Sequence, residues 1–239
     1  MTAHERTPSI LLIPGHWLGA WAWDDVLEHL TDRGRTAIPM TLPGLDEADP
    51  DRASRTLEEQ AAAIVRTAAA QGDPVVIAAH SGANAPVSLV LDRHPELVRR
   101  VIWVDSGPVA SGAAFAPDFP EDAGGLPLPP IEVLGEQASL EGLDAVALER
   151  FRARAVPEPA PVLRQTVRLE NPARSAVPTT LVCCSIPSSQ VRELAEGGHP
   201  MFVEVGELES VEYVDLPTGH WPMWSRPADL AEVLASAAR

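Results

Sequence analysis

The chain has 239 residues, 45% of them hydrophobic, which is enough for one α/β domain with a sizeable core. Its 18 basic residues are all arginine and stand against 34 acidic residues, so the formal net charge of −16 argues against nucleic acid or anionic lipid as a partner. No stretch approaches the roughly 20 apolar residues of a membrane span, and residues 1–6 lack the basic start of a secretory signal. We therefore expect a soluble, cytoplasmic protein. The sequence leaves its oligomeric state open, a homodimer included.

Strand and helix signals alternate along the first part of the chain. In order, the predicted elements are a strand over 10–13, a helix over 23–30, a strand over 36–40, a helix over 57–70 opened by the capping box at Thr56, an apolar strand over 75–77, a helix from Ala83 and a strand over 101–105. This order is typical of a parallel sheet with helices on both faces.

A segment without that alternation follows. Glycine and proline crowd residues 107–130, one helix is predicted over 143–154, and no strand pattern is present. Regular signals return with a strand over 179–184, a helix near 191–196, a strand over 211–215 and a closing helix after Pro227. We therefore predict an α/β fold with a mostly parallel, doubly wound sheet formed by 1–106 and 173–239. A mainly helical cap, mobile as a lid, is inserted at 107–172.

The apolar cap residues are expected either to line a pocket roof or to pack the cap itself; they are Phe115, Phe119, Leu126, Leu128 and Ile131. The only cysteines, Cys183 and Cys184, are adjacent in a strand and so point to opposite faces. This predicts buried free thiols rather than a disulfide. The sequence predicts no cofactor and no metal site.

One serine lies where an apolar strand turns into a helix. Ser81 stands in Ala79-His80-Ser81-Gly82-Ala83, so small residues allow the tight turn although alanines replace the outer glycines of G-x-S-x-G. The position favours a nucleophile at the carboxyl end of a strand, against a helix N-terminus that favours negative charge. The alternative is a buried serine in an ordinary strand-to-helix turn.

The base is predicted to be His220, in the loop after the last strand, because the carboxyl ends of parallel strands meet at one edge of a sheet. The alternative is a histidine that only packs against Trp221 or Trp224. The residues expected to line the substrate pocket are Gly15, Trp17, His80 and Trp221. His16 lies between Gly15 and Trp17 in the same loop.

The acid that would orient the base is not at its commonest position. The turn after the strand 179–184 reads Ser185-Ile-Pro-Ser-Ser-Gln190 and holds no carboxylate. Asp105 ends the strand that follows Ser81 in the chain, so its carboxylate should emerge at the same sheet edge. We take Asp105 as the acid. The alternatives are that Asp105 only caps the turn at Ser106, or that Glu193 or Glu196 on a helix face serves instead.

Two backbone N–H groups are candidates for binding an oxyanion. Gly82 follows the nucleophile directly, and His16 lies in the loop after the first strand, where Gly15 allows a tight turn. A glycine-rich connection with its tryptophans packed in the core is the alternative.

With these residues assigned, the chain resembles the α/β-hydrolase superfamily over nearly its whole length. The motifs Pro14-Gly-His-Trp-Leu-Gly-Ala-Trp-Ala-Trp23 and Gly219-His-Trp-Pro-Met223 are similar to the plant methylesterase and hydroxynitrile lyase branch and its bacterial relatives. Lyases of that branch have a lysine after the catalytic histidine, where this chain has Trp221, so the resemblance implies an esterase. The placement of the acid at Asp105 and the turn 185–190 are similar to cofactor-independent dioxygenases of the same fold.

Three functions remain open at this point. The leading hypothesis is a serine esterase that cleaves a carboxylic ester, thioester or lactone of a small to medium hydrophobic substrate, using Ser81, His220 and Asp105. The second is a cofactor-independent dioxygenase in which His220 and Asp105 deprotonate the substrate and Ser81 only positions it. The third is a ligand-binding pseudoenzyme, suggested by the missing acid after strand 179–184.

Overall fold

The computed structural model describes residues 7–238, so the N-terminal segment examined for a targeting signal lies outside the described residues. Within that range, eight strands form a six-stranded sheet and a two-stranded sheet. The strands are β1 Ile10–Ile13, β2 Ala37–Pro39, β3 Val75–His80, β4 Val98–Val104, β5 Gly125–Leu126, β6 Glu158–Pro159, β7 Thr179–Cys183 and β8 Val211–Asp215.

The large sheet has the strand order β2-β1-β3-β4-β7-β8, and every neighbouring pair in it is parallel. The predicted α/β fold class is confirmed. The order reverses between β1 and β3, and in open parallel sheets ligands bind at the carboxyl ends of the strands beside such a reversal. The loops after β1 and β3, which carry His16 and Ser81, therefore meet at this point.

Ten helices accompany the sheet in the described residues: α1 Asp24–Asp32, α2 Leu57–Ala69, α3 Asn84–Arg93, α4 Ile131–Gln137, α5 Ala145–Arg154, α6 Ala160–Arg164, α7 Ser188–Glu196, α8 Val203–Gly206, α9 Pro222–Ser225 and α10 Pro227–Ala237. Helix α1 packs against α10, and α2 packs against α3.

The central strand β3 is buried over all six residues because both faces of the sheet are covered. Val75, Ile77 and Ala79 belong to the core shared with α2, α3 and α7, whereas Val76 and Ala78 belong to the core shared with α1 and α10. This alternation follows the two-residue period of a strand. The alternation fixes the orientation of β3 and therefore the position of the residues that follow this strand.

The segment between β4 and β7 differs from the prediction in its strands. We expected none there, yet β5 and β6 form a short antiparallel pair. Two-residue strands are too short to show a period in the sequence. The close approach of β5 to β6 also depends on glycine, since a Cβ on Gly125 would overlap the carbonyl oxygen of Glu158. Helices α4 and α6 were also missed, while the predicted helix over 143–154 is present as α5, with Asp144 as its N-cap.

Cys183 and Cys184 are free and buried, as expected. Burial raises the pKa of Cys183 to about 12 and also raises the pKa of Cys184, so both side chains stay as unreactive thiols. None of the helices in residues 7–238 combines the length and the apolar character that crossing a membrane requires.

The capping box of α2 generates a test of local stability. Thr56 Oγ1 accepts from the Glu59 N–H at 3.2 Å, and a Glu59 carboxylate oxygen accepts from the Thr56 N–H at 2.8 Å. Thr56→Ala should lower the free energy of unfolding by about 1 kcal/mol, measured by urea denaturation. As a control, Thr31→Ala should change it by less than about 0.5 kcal/mol, because the side chain of Thr31 is exposed and its hydroxyl donates only to the Leu27 carbonyl within α1. Equal effects of the two variants would contradict the role of the cap.

Candidate active site

Ser81 occupies a strained turn between β3 and α3. Its φ of +49° lies in the left-handed region, which a residue with a side chain adopts at a cost in energy. The turn is also tightly enclosed, since a Cβ on Gly15 would lie 2.8 Å from Ser81 Cβ. Ala79 and Ala83, which replace the outer glycines of the motif, are buried side chains of the core. The half-buried Ser81 is thereby held at the carboxyl edge of the sheet.

His220 contacts both of the residues expected beside it. Its Nε2 lies 2.7 Å from Ser81 Oγ, and its Nδ1 lies 2.6 Å from Asp105 Oδ2. An ionised carboxylate only accepts hydrogen bonds, so in the neutral ring Nδ1 carries the hydrogen and Nε2 is free to accept from the serine hydroxyl. The structure thus joins Ser81, His220 and Asp105 in one chain of hydrogen bonds.

Asp105 follows β4, and its carboxylate is held mainly by residues that follow β7. Its Oδ1 accepts from the Cys184 and Ser185 N–H groups at 3.0 and 2.8 Å, and its Oδ2 accepts from Ser185 Oγ at 2.6 Å. Burial raises the pKa of Asp105, but the hydrogen bonds and charge of His220 and the bonds from Ser185 outweigh it. The net effect is a pKa below the usual value, so the carboxylate stays ionised.

The alternatives for the acid do not fit this geometry. The carboxylate of Asp105 is engaged by His220, Cys184 and Ser185 rather than by the turn at Ser106. Glu193 and Glu196 lie on α7 with exposed side chains. Sequence reasoning missed Ser185. Its signal was a hydroxyl residue in the turn where an acid is commonly found.

Two contacts fix the backbone around His220. The His220 N–H donates to the Ser139 carbonyl at 2.8 Å, and the Gly219 N–H donates to the Glu141 carbonyl at 3.1 Å. A Cβ on Gly219 would lie 2.6 Å from both of those carbonyl oxygens, so only glycine allows this approach. The turn between α4 and α5 therefore supports the loop that carries His220.

His80 fixes the same loop from the other side. It is 1% exposed, and its Nε2 donates to the backbone carbonyl of His220 at 2.7 Å. Burial, together with the positive charge that His220 can carry, lowers the pKa of His80 to about 3. His80 is therefore a neutral donor that holds the backbone of His220, and the expectation that it lines the pocket is wrong.

A cavity of about 120 Å³ lies beside the turn at Ser81. It is bordered by His16 and Gly82 and, from the segment between β4 and β7, by Val109, Phe115 and Val162. Of the apolar residues expected in a pocket roof, Phe115 borders this cavity. Ile131 packs in a core cluster, and Leu126 and Leu128 pack against that cluster.

The predicted pocket residues Gly15, Trp17, His80 and Trp221 do not border this cavity. Gly15 packs against Ser81, and His80 is enclosed beneath the turn. Trp17 donates from Nε1 to the Leu126 carbonyl, and Trp221 packs edge-on against Phe151. Both indoles belong to the core on that side of the sheet, where their large apolar area is buried.

The pH dependence of stability tests the burial of His80. The unfolded chain takes up the proton near pH 6.5 and the folded chain only near pH 3, so stability falls as the pH drops through this window. From about pH 5.5 to about pH 4.5, the wild type should lose about 1.4 kcal/mol more unfolding free energy than His80→Gln, measured in urea. Equal losses in the two proteins would show that His80 is protonated in the folded state.

Comparison with known proteins places these residues in a family. The profile of the Alpha/beta hydrolase family matches residues 10–233. A carbendazim hydrolyzing esterase from Nocardioides is 25% identical over 249 aligned residues, covering 95% of this chain and 98% of that protein. A putative chloroplastic methylesterase of Arabidopsis thaliana is 27% identical over 118 residues, which cover 48% of this chain and 34% of that protein. The match thus spans about a third of the plant protein.

Solved structures show the same fold. An extracellular alpha/beta-hydrolase from a Paenibacillus species superimposes with a TM-score of 0.76 at 19% identity, covering 97% of this chain and 99% of its own. A methylesterase from Arabidopsis gives 0.71 at 16% identity, covering 96% and 98%. The profile match confirms the predicted resemblance to this superfamily, and the chain belongs to the alpha/beta hydrolase family.

Proposed function

We propose that this protein is a carboxylic ester hydrolase with Ser81 as nucleophile, His220 as general base and acid, and Asp105 as the acid that orients His220. The observation that carries the proposal is the pair of hydrogen bonds made by His220, to Ser81 Oγ at 2.7 Å and to Asp105 Oδ2 at 2.6 Å. A serine hydroxyl becomes a strong nucleophile when a base within hydrogen-bond reach is itself oriented by a third group.

The reaction follows from these contacts. His220 Nε2 takes the proton of Ser81 Oγ as the oxygen attacks the ester carbonyl, and the N–H groups of His16 and Gly82 bind the oxyanion that forms. His220 then gives the proton to the departing alcohol, which leaves an acyl group on Ser81. Water attacks this acyl-enzyme with His220 again as base, releasing the acid. Throughout, ionised Asp105 stabilises the imidazolium.

We assign substrate binding to the apolar cavity and to residues 107–172, which we propose act as a cap. The cavity has apolar walls from this segment, and its volume suits a small acyl group better than a long chain. The names of the relatives, a carbendazim hydrolyzing esterase and methylesterases, support esters of small molecules. The substrate class is a carboxylic ester, thioester or lactone of a small to medium hydrophobic acid.

The setting we propose is the cytoplasm, with a small molecule as the partner. The formal net charge of −16 argues against nucleic acid and anionic lipid as partners.

Cofactor-independent dioxygenase chemistry is the second candidate, because here too the acid follows β4 rather than β7. In that case His220 would deprotonate the substrate directly and Ser81 would only position it. The 2.7 Å contact between Ser81 Oγ and His220 Nε2 supports the hydrolase instead, since the serine occupies the nitrogen that would act on the substrate. A complete triad argues equally against a pseudoenzyme that only binds its ligand.

Ser81→Ala tests the nucleophile. The variant should lose at least about a thousandfold in kcat for hydrolysis of p-nitrophenyl acetate, because no oxygen remains to form the acyl-enzyme. A fluorophosphonate probe should label Ser81 in the wild type, as read by mass spectrometry of peptides. Ser189→Ala, at an exposed position of α7, serves as control and should keep full activity. Full activity in Ser81→Ala would reject Ser81 as the nucleophile. Oxygen uptake that survives Ser81→Ala but not His220→Ala would favour the second candidate.

Ser185→Ala tests the relocated acid. It removes the hydroxyl that bonds Asp105 Oδ2, so the pKa of Asp105 should rise and the base should be less well oriented. We expect kcat/KM for p-nitrophenyl acetate to fall about tenfold, in line with the loss of one hydrogen bond to a charged group.

The chain offers a matched control for this variant. Ser188 bonds Asp215 through its N–H and its hydroxyl, both at 2.7 Å, in the same manner but away from Ser81. Ser188→Ala should leave kcat/KM unchanged. If the two serine variants lost activity to the same extent, the loss would reflect stability of this edge of the sheet rather than the orientation of His220.

A further inference from the structure

A second polar cluster lies beside the triad and takes no part in the mechanism above. Glu158, at the start of β6, is 1% exposed, and its Oε1 accepts from Gln60 Nε2 at 3.2 Å. Its Oε2 lies 3.0 Å from His16 Nδ1. A carboxylate is expensive to bury among apolar groups unless it is paired, so its presence here calls for a reason other than packing.

Two atoms of this cluster are buried without a hydrogen bond. They are Glu158 Oε2, which is close to the His16 ring but out of line for a hydrogen bond, and His16 Nε2. Buried polar atoms are nearly always hydrogen-bonded, because leaving one unpaired costs free energy. A partner supplied by a ligand would remove part of this cost. A ligand that hydrogen-bonds these atoms therefore gains binding free energy by pairing them.

The position of the His16 ring shows which part of a substrate would reach it. The ring lies directly against Gly82, since a Cβ on Gly82 would overlap its Nε2, and both residues border the cavity of about 120 Å³. Phe115 packs edge-on against the ring, with 4.5 Å between ring centres, and is 60% exposed. Because Phe115 also borders the cavity, we expect displacement of this exposed phenyl group to bring more of the His16 ring into contact with a ligand there.

We infer that the His16 side chain, whose ring lies beside Glu158, selects esters that carry a hydroxyl group on the carbon next to the ester carbonyl. This rests on the proposed function, because the ester oxygen must sit at the N–H groups of His16 and Gly82. The neighbouring carbon then lies next to the His16 ring. A hydroxyl suits Nε2 whether or not that nitrogen carries a hydrogen, because a hydroxyl both donates and accepts. His16 is thus a specificity-determining side chain, separate from the role of its backbone.

The test compares ethyl lactate with ethyl propionate, which differ only by this hydroxyl. Acid release is followed in a pH-stat, and the ratio of the two kcat/KM values is divided by the ratio of their hydroxide-catalysed rates to remove intrinsic reactivity. We expect a corrected ratio of about ten or more in the wild type, the effect of one good hydrogen bond. A wild-type ratio near one would overturn the inference.

Substitution of His16 assigns the preference to its side chain. In His16→Leu the corrected ratio should fall to near one. Because this variant leaves the Glu158 carboxylate buried and unpaired, the double variant His16→Leu/Glu158→Leu is measured beside it and should give the same ratio. Val162→Ala is the matched control, since it enlarges the same cavity without touching the polar cluster, and should keep the wild-type preference. A preference that persists in whichever His16 variant folds would also overturn the inference.

Two further readouts separate failure of this inference from failure of the proposed function. Fluorophosphonate labelling of Ser81 reports on the nucleophile whatever the substrate. Inhibition of p-nitrophenyl acetate hydrolysis by each ethyl ester reports on binding even if neither ester is turned over quickly. Labelled Ser81 with equal inhibition by both esters would leave the hydrolase intact and reject the role of His16. Unlabelled Ser81 would reject the hydrolase itself.

Discussion

The position of His220 is the constraint on which the rest of the site depends. Its ring must meet Ser81 and Asp105 from a loop that has no regular structure, and a displacement of about 1 Å is enough to disable such a site. The structure fixes the loop through its backbone. His80 bonds the His220 carbonyl from beneath, and Ser139 accepts from its N–H from the segment between β4 and β7. The ring then has little freedom except toward its two partners.

This arrangement has a consequence for residues 107–172, which we expected to be mobile. The turn between α4 and α5 bonds the backbone of Gly219 and His220, so motion there would move the base as well. Phe115, by contrast, is 60% exposed and borders the cavity from the part of the segment near β4. Substrate entry is therefore better served by motion near Phe115 than by displacement of the whole segment.

Much of the fold and of the candidate site was predictable, because it follows from hydrophobic periodicity and from the order of strands and helices along the chain. The alternation of strands and helices gives the sheet, and the carboxyl ends of parallel strands gather Ser81, Asp105 and His220. Other features depend on long-range contacts that no period encodes. Gln60 and Glu158 meet from positions 98 residues apart, one of them in an irregular proline-rich stretch. Trp17 was expected in a pocket for its size and its loop, but packing against the core decided its place.

The sheet itself explains how the proposed acid can follow β4 rather than β7. Strands β4 and β7 are adjacent and parallel, with Val104 opposite Val182, so a side chain that follows either strand emerges at nearly the same point. Asp105 bonds back to β7 through its own N–H to the Val182 carbonyl. The turn after β7 supplies no carboxylate, but it supplies hydrogen-bond donors to the carboxylate of Asp105. Ser185 provides two of them, so in the proposed mechanism this turn helps to orient the base although it holds no carboxylate.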